Sequence, residues 1–364
     1  MFATLQRIGR SLMLPIAVMP VAALLLRFGQ DDVLGIAWLA DAGGAIFGNL
    51  ALLFAIGVAV GFTKDAGTAG IAGAVGYWVF SKVQGDINAI AHPDHTSNMG
   101  VLAGILMGLL AANMYDKYHT IRLPEWLNFF GGKRFVPIVT SFWAVILGLV
   151  FGWLWYWPEQ ILAAVGNWAI GAGAIGAAVH AFLNRLLIPL GLHHVLNSIA
   201  WFQFGDLTNF FDSAGKEGGL FMTGFFPIMM FGLPAAAYAM YVCARAANKK
   251  AVGGVMFSAA LTSLLTGITE PIEFAFMFVA PVLYVVHALL TGVSALVTVG
   301  LGMRSGFGFS AGLTDYLLNF GIATNPVGLL LVGVAFGVVY YLVFVALIKA
   351  QDIPTPGREP EAAE

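Results

Sequence analysis

Charge is scarce in this chain. Only 10% of its 364 residues are Asp, Glu, Lys or Arg, against about 25% in a typical soluble domain. There are too few charges to cover a water-facing globule of this size. The 17 basic and 19 acidic residues nearly cancel, leaving a formal net charge of −2, so no basic surface is available for nucleic acid. Cysteine is rarer still. Cys243 alone excludes a disulfide framework within the chain and a multi-Cys metal site. It ends an apolar segment just before Arg245 and reads as a packed helix residue without a catalytic role. A cleavable secretory signal is also missing on this reading. Arg7 and Arg10 precede the apolar run Leu12 to Leu26, but Arg27-Phe28-Gly29-Gln30-Asp31-Asp32 follows it where a small-residue cleavage site would stand.

What remains is apolar: 59% of the residues are hydrophobic, and 45 are glycine. At roughly 20 residues per crossing, the chain has room for about ten membrane helices with short loops. Abundant glycine suits helices that pack closely in lipid. The expected fold class is an all-α polytopic membrane protein.

After Leu12 to Leu26, which reads as the first membrane helix, the apolar runs are Ala45 to Phe62, Thr68 to Val83, Met99 to Met114 and Val136 to Trp157. Basic residues gather at Arg7/Arg10, Lys117 to Arg134, Arg245 to Lys250 and Lys349 to Arg358. The positive-inside rule makes these cytoplasmic. Parity then puts Arg27 to Asp41, Gln84 to Asn98 and the Trp157-Pro158-Glu159 region outside. The second half is less regular. Ile161 to Phe204 is interrupted by His180, Asn184, Arg185, Pro189, His193, His194 and Asn197, and a polar loop follows from Gly205 to Gly219. Helices are expected over Thr223 to Cys243, Gly253 to Thr266, Phe274 to Leu290 and Val327 to Ile348, with a Gly-rich stretch from Gly300 to Gly312. Pro-broken polar segments here can be re-entrant, which leaves the number of crossings open.

Two constellations carry chemistry. In Gly267-Ile268-Thr269-Glu270-Pro271-Ile272-Glu273-Phe274, two carboxylates lie in an apolar stretch. Acidic groups at membrane depth normally face a protein interior or a watery path. Pro271 disfavours the α region for Glu270 and suits the first turn of a new helix. The segment therefore reads as a break followed by a helix start, which membranes tolerate only where it is packed in protein or lines a cavity. With Glu270 as N-cap, Glu273 falls at N3 and is explained equally well by a capping box. Glu270 has no such structural explanation. The second constellation, Asn184-Arg185 to His193-His194-Val195-Leu196-Asn197, flanks a Pro-Gly break. Arg185 keeps its charge and needs a carboxylate, backbone carbonyls or the headgroup region, so a snorkelling arginine is one reading. His193 and His194 should point in different directions, and two adjacent histidines without a third ligand do not make a zinc site. Gly61 to Gly67, with Lys64-Asp65, and Asn98-Met99-Gly100 are weaker signals that fit ordinary loops. No metal or cofactor is expected.

The first constellation, with Gly191-Leu192-His193-His194 upstream, resembles the membrane (IIC) component of the bacterial sugar phosphotransferase system, glucose superfamily. The likeness extends to Leu14 to Pro20, Gly44 to Asn49, Phe54 to Gly61, Gly131 to Pro137 and Thr355 to Glu359. Lys64-Asp65, Asn98 to Gly104, Leu196 to Gln203 and Gly224 to Pro234 are closer to the N-acetylglucosamine branch than to the glucose branch. His194 departs from that branch, which has Gln there.

The resemblance implies about ten transmembrane helices plus two re-entrant hairpins. Residues 1–157 would form a dimer-interface domain, 158–350 a moving substrate domain, and 351–364 a cytoplasmic linker. Homodimers would lie in the lipid of the inner membrane with both termini cytoplasmic. Glu270 and His193 would be catalytic, and Glu270, His193, His194, Arg185 and Asn197 would bind the sugar. N-acetylglucosamine, with glucose as the alternative, would be phosphorylated at C6 by a phosphocysteine on a IIB domain. Nothing in the sequence resembles that IIB domain. A proton-coupled sugar transporter, with Glu270 as proton carrier, is the rival that needs no IIB. A membrane sensor is disfavoured by the short loops.

Overall fold

The computed structural model describes residues 18–30, 33–63, 66–95, 97, 99–190 and 193–358. Arg7, Arg10, Leu12 to Ala17, Lys64-Asp65, Asn98, Gly191-Leu192 and the segment from Glu359 onward lie outside the described residues. Among those described, the chain is helical without strands. The first helices are α1 (Met19–Gly29), α2 (Ala37–Gly48), α3 (Leu50–Gly61), α4 (Ala66–Ala91), α5 (Gly100–Tyr118), α6 (Phe135–Leu154) and α7 (Tyr156–Gly171). Then come α8 (Ala174–Leu186), α9 (His193–Ser198), α10 (Asp206–Asp212), α11 (Phe225–Cys243) and α12 (Lys249–Thr266). The last are α13 (Glu270–Phe276), α14 (Pro281–Gly300), α15 (Leu313–Leu318) and α16 (Pro326–Ala350).

Among the described residues, four segments are long and apolar enough to cross a bilayer: Gly132–Leu154, Phe225–Cys243, Pro281–Gly300 and Pro326–Ala350. The pairs α2/α3 and α7/α8 raise the number to six if each is one broken span. Several sequence expectations shift. Ala45 to Phe62 is not one helix, because the chain bends by 52° where Asn49 separates α2 from α3. The Asn49 amide donates to the Ala45 carbonyl at 2.8 Å, a side chain competing for backbone groups at the break. Gln84 to Ala91 is not loop but the continuation of α4, whose buried Gln84 and Asn88 find partners in Ser97 and the Gly152 carbonyl. Phe274 to Leu290 is interrupted between Phe276 and Pro281, where proline starts α14.

Two compact units emerge, residues 1–167 with 190–203, and residues 168–189 with 204–364. In the first, α4 packs on α6 and α3 on α5. Phe80, Met99, Met107, Ala144 and Trp155 share its core. Small residues set the spacing: a Cβ on Gly104 would lie 2.0 Å from the Ala51 carbonyl oxygen, so only glycine permits that helix contact. In the second unit, α11 packs on α12 and α16, and α14 on α8. Leu233, Met240, Ile272, Phe276, Leu283, Tyr340 and Phe344 form its core.

Candidate functional site

The break before α13 is built by glycine. α12 ends at Gly267, whose φ of 72° is left-handed. A Cβ there would lie 2.6 Å from Ser310 Oγ and 2.9 Å from the Ala311 nitrogen. Ser310 in turn donates to the Gly267 carbonyl at 2.8 Å, tying the Gly-rich stretch before α15 to the break. Thr269, not Glu270, caps α13, so Glu270 is the first helical residue and Pro271 the second. The expected cap is off by one position, because proline is accommodated anywhere in the first turn, where its missing N–H has no intrahelical partner.

That offset alters what the two glutamates do. Glu273 makes no capping box. It is fully buried and accepts from Arg185 Nη1 at 2.8 Å and from His287 at 3.0 Å, both on Oε1. Arg185 is also buried and does not snorkel. Its Nη1 donates to Thr269 Oγ1 at 3.2 Å, and its guanidinium lies 4.8 Å from the centre of the Phe225 ring. His287 of α14 has its Nδ1 2.9 Å from the Tyr340 hydroxyl of α16. The Nε2–H tautomer satisfies both contacts, donating to Glu273 and accepting from Tyr340. The Tyr284 hydroxyl donates to the Arg185 carbonyl. A buried charge pair left without one partner costs about 3–5 kcal/mol. Here Glu273 Oε1 is held by hydrogen bonds from helices far apart in sequence.

Glu270 stays out of this pair. Its carboxylate accepts from the Thr269 N–H at 3.1 Å, and the residue is partly exposed. The unit thus holds one carboxylate paired with Arg185 and His287 and another, three positions earlier, outside that pair. Glu273 Oε2, Arg185 Nε and both ring nitrogens of His180 have no hydrogen-bond partner among the described residues. His180 sits one turn before Asn184 on α8, its ring 5.0 Å from that of Phe221.

The remaining expected residues lie in the other unit. His193 opens α9, and its ring centroid is 3.8 Å from that of His194. The expected divergence of these two side chains is therefore wrong, since the first turn of the short helix α9 sets the rings side by side. His193 and Asn197 are buried, and the Ser198 hydroxyl donates to the His194 carbonyl at 2.8 Å. Beyond Ser198 the helix widens into a π turn over Ile199–Gln203. Such turns recur at functional sites. Gln203 donates to the Met99 carbonyl at 3.2 Å. Arg185 and Glu270 thus belong to one unit and His193, His194 and Asn197 to the other. Sequence reasoning missed His287 and Tyr340; a lone histidine within apolar α14 was the available signal.

The family model for the phosphotransferase system EIIC domain matches residues 9–292. The chain belongs to that family. With several long apolar helices, this EIIC chain is a multi-pass membrane protein. It is 52% identical over 99% of its length to the N-acetylglucosamine-specific EIICBA component of Escherichia coli K12, of which it covers 57%. It therefore spans little more than half of that relative. The N-acetylglucosamine-specific EIICB component of Bacillus subtilis is 49% identical, with 80% of that protein covered. The EIIC component of Streptomyces coelicolor with the same specificity is 46% identical, with 94% covered. Among solved structures, the transporter ChbC, the IIC component of an N,N'-diacetylchitobiose-specific phosphotransferase system, superposes with a TM-score of 0.62. At 16% identity, over 96% of this chain and 94% of that one, ChbC attests the fold alone.

Proposed function

We propose that this EIIC chain is the permease of an N-acetylglucosamine phosphotransferase system. It binds the sugar outside, carries it inward and presents the C6 hydroxyl to a phosphocysteine of a IIB domain. The carrying observation is that three relatives, 46–52% identical over 99% of the chain, bear that specificity. A glucose-specific relative from Staphylococcus saprophyticus is 42% identical.

The chemistry suits the residues. A neutral sugar entering lipid must exchange its water hydrogen bonds for protein ones, because an unpaired buried hydroxyl costs about 1–3 kcal/mol. Glu270, His193, His194 and Asn197 supply acceptors and donors. Arg185, held by Glu273, acts mainly by positioning the chain next to Glu270. In the transfer, the C6 oxygen attacks phosphorus, the S–P bond breaks and the hydroxyl proton passes to Glu270. Such a step needs positioning and charge stabilisation above all. The sugar phosphate carries about two negative charges and does not recross the bilayer. The ten-helix topology with two hairpins, the dimer through 1–157, the moving 158–350 domain, the linker from 351 and the cytoplasmic termini belong to the same proposal. The clusters Lys117 to Arg134 and Arg245 to Lys250 support the orientation.

Competition of N-acetylglucosamine and glucose against radiolabelled N-acetylglucosamine tests the sugar. The acetamido group adds a donor, an acceptor and a methyl, so glucose should bind at least tenfold more weakly, about 1.4 kcal/mol or more. Glucose competing equally well overturns the assignment. Uptake into vesicles under a proton gradient, without a phosphoryl donor, would favour the proton-coupled rival instead.

A further inference from the structure

Away from the two glutamates, α11 and α12 leave a cleft of about 390 Å³ between them. Its walls are apolar: Pro234, Met256, Ala260 and the exposed ring of Phe257, with Tyr238 and Tyr241 along one side. One end differs. Lys249 and Lys250 stand there, Lys249 Nζ 5.7 Å from the centre of the Tyr241 ring. Among the described residues, no Asp or Glu lines the cleft. The same end is the start of α12, whose cap Asn248 makes no side-chain bond to the first turn, and that turn has no acidic residue. Two ammonium groups therefore join the positive pole of an 18-residue helix.

The dimensions favour one kind of occupant. From Lys249 to Ala260 a helix rises about 16 Å, close to half of the roughly 30 Å hydrocarbon core. A charged head at Lys249/Lys250 and an apolar body ending near Ala260 match one lipid of a single leaflet. The lysines and tyrosines stand where the interface belongs, and Phe257 and Met256 where an acyl chain runs. A phosphopeptide or a protein loop would meet an apolar channel with no polar partner beyond its mouth.

We infer that this cleft seats one anionic phospholipid, its phosphate between Lys249 and Lys250 and an acyl chain along Pro234, Met256 and Phe257. The inference uses the reading of α11 as a membrane span and is independent of which sugar is carried. It is tested on the full chain in detergent by native mass spectrometry, with phosphatidylglycerol and phosphatidylcholine of identical acyl chains added at equal concentration. The parent should retain phosphatidylglycerol several-fold over phosphatidylcholine. K249Q/K250Q should erase that preference. Gly254→Leu keeps both charges but fills the channel, since a Cβ at Gly254 meets open space; it should lower retention of both lipids. The melting temperature of each variant guards against misfolding. Equal retention of the two lipids by the parent overturns the inference, as does undiminished phosphatidylglycerol in either folded variant. Displacement of the lipid by millimolar inorganic phosphate would also overturn it, since the site would then read the anion alone.

Discussion

On the proposed reading, two glutamates three positions apart have different roles, and their variants should separate them. Glu270→Gln leaves the buried pair intact, so its melting temperature should stay near the parent's while sugar phosphorylation by a IIB donor is lost. Glu273→Gln leaves Arg185 without its counter-charge and should cost about 3–5 kcal/mol of stability. Thermal melting in detergent, paired with phosphorylation, reads both. An inactive but fully stable Glu273→Gln protein would move that residue into the sugar site. Glu270 stands out in the sequence, because proline after an acidic residue in an apolar stretch has few structural explanations. Nothing in the sequence hints at which side chain Glu273 meets. Arg185, His287 and Tyr340 converge on that carboxylate or its imidazole partner from three other helices, and no local pattern encodes pairing over such separations.

At the level of elements, the break between α12 and α13 depends on Gly267. The residue combines a positive φ with an approach too close for a side chain. Gly267→Ala should lower stability by about 1–3 kcal/mol and weaken sugar binding, because Glu270 opens α13 three residues later. Gly254→Ala, inside α12 where a Cβ meets nothing, should instead be neutral or stabilise by about 0.5–1 kcal/mol. Equal effects of the two substitutions on melting and sugar affinity would refute the special role of the break. Apolar stretches revealed most helices, but the interruptions at Asn49 and after Phe276 were hidden. A single Asn within an apolar run does not by itself mark a break, and only packing decides where a backbone group changes partner. Polar Gln84 and Asn88 misled in the opposite sense. They read as loop because their partners, Ser97 and Gly152, lie elsewhere in the chain.

For the whole molecule, the distribution of basic residues predicts an orientation that one native cysteine makes easy to test. Cys243 is buried and can be replaced by Ala. Single cysteines at Arg122 and Arg245 should then react with a membrane-impermeant maleimide only when the reagent reaches the cytoplasmic side. One at Asp94 should react only from outside. Labelling of Arg122→Cys from outside would invert the topology and the site of phosphoryl delivery with it.

The closed cluster around Glu273 also bears on how the protein is made. Arg185 is synthesised first, Glu273 and His287 follow, and Tyr340, in the last described helix, comes last. A nascent chain stopped after α8 holds a guanidinium in or beside the bilayer with no counter-ion. One stopped before α16 holds a histidine whose acceptor nitrogen is empty. The cluster in this unit is therefore completed in steps, as its partner helices are made. The Arg185–Glu273 pair can form once α13 is made, whereas the His287 imidazole gains its hydroxyl partner only with α16, so the last contact of the cluster closes late in synthesis.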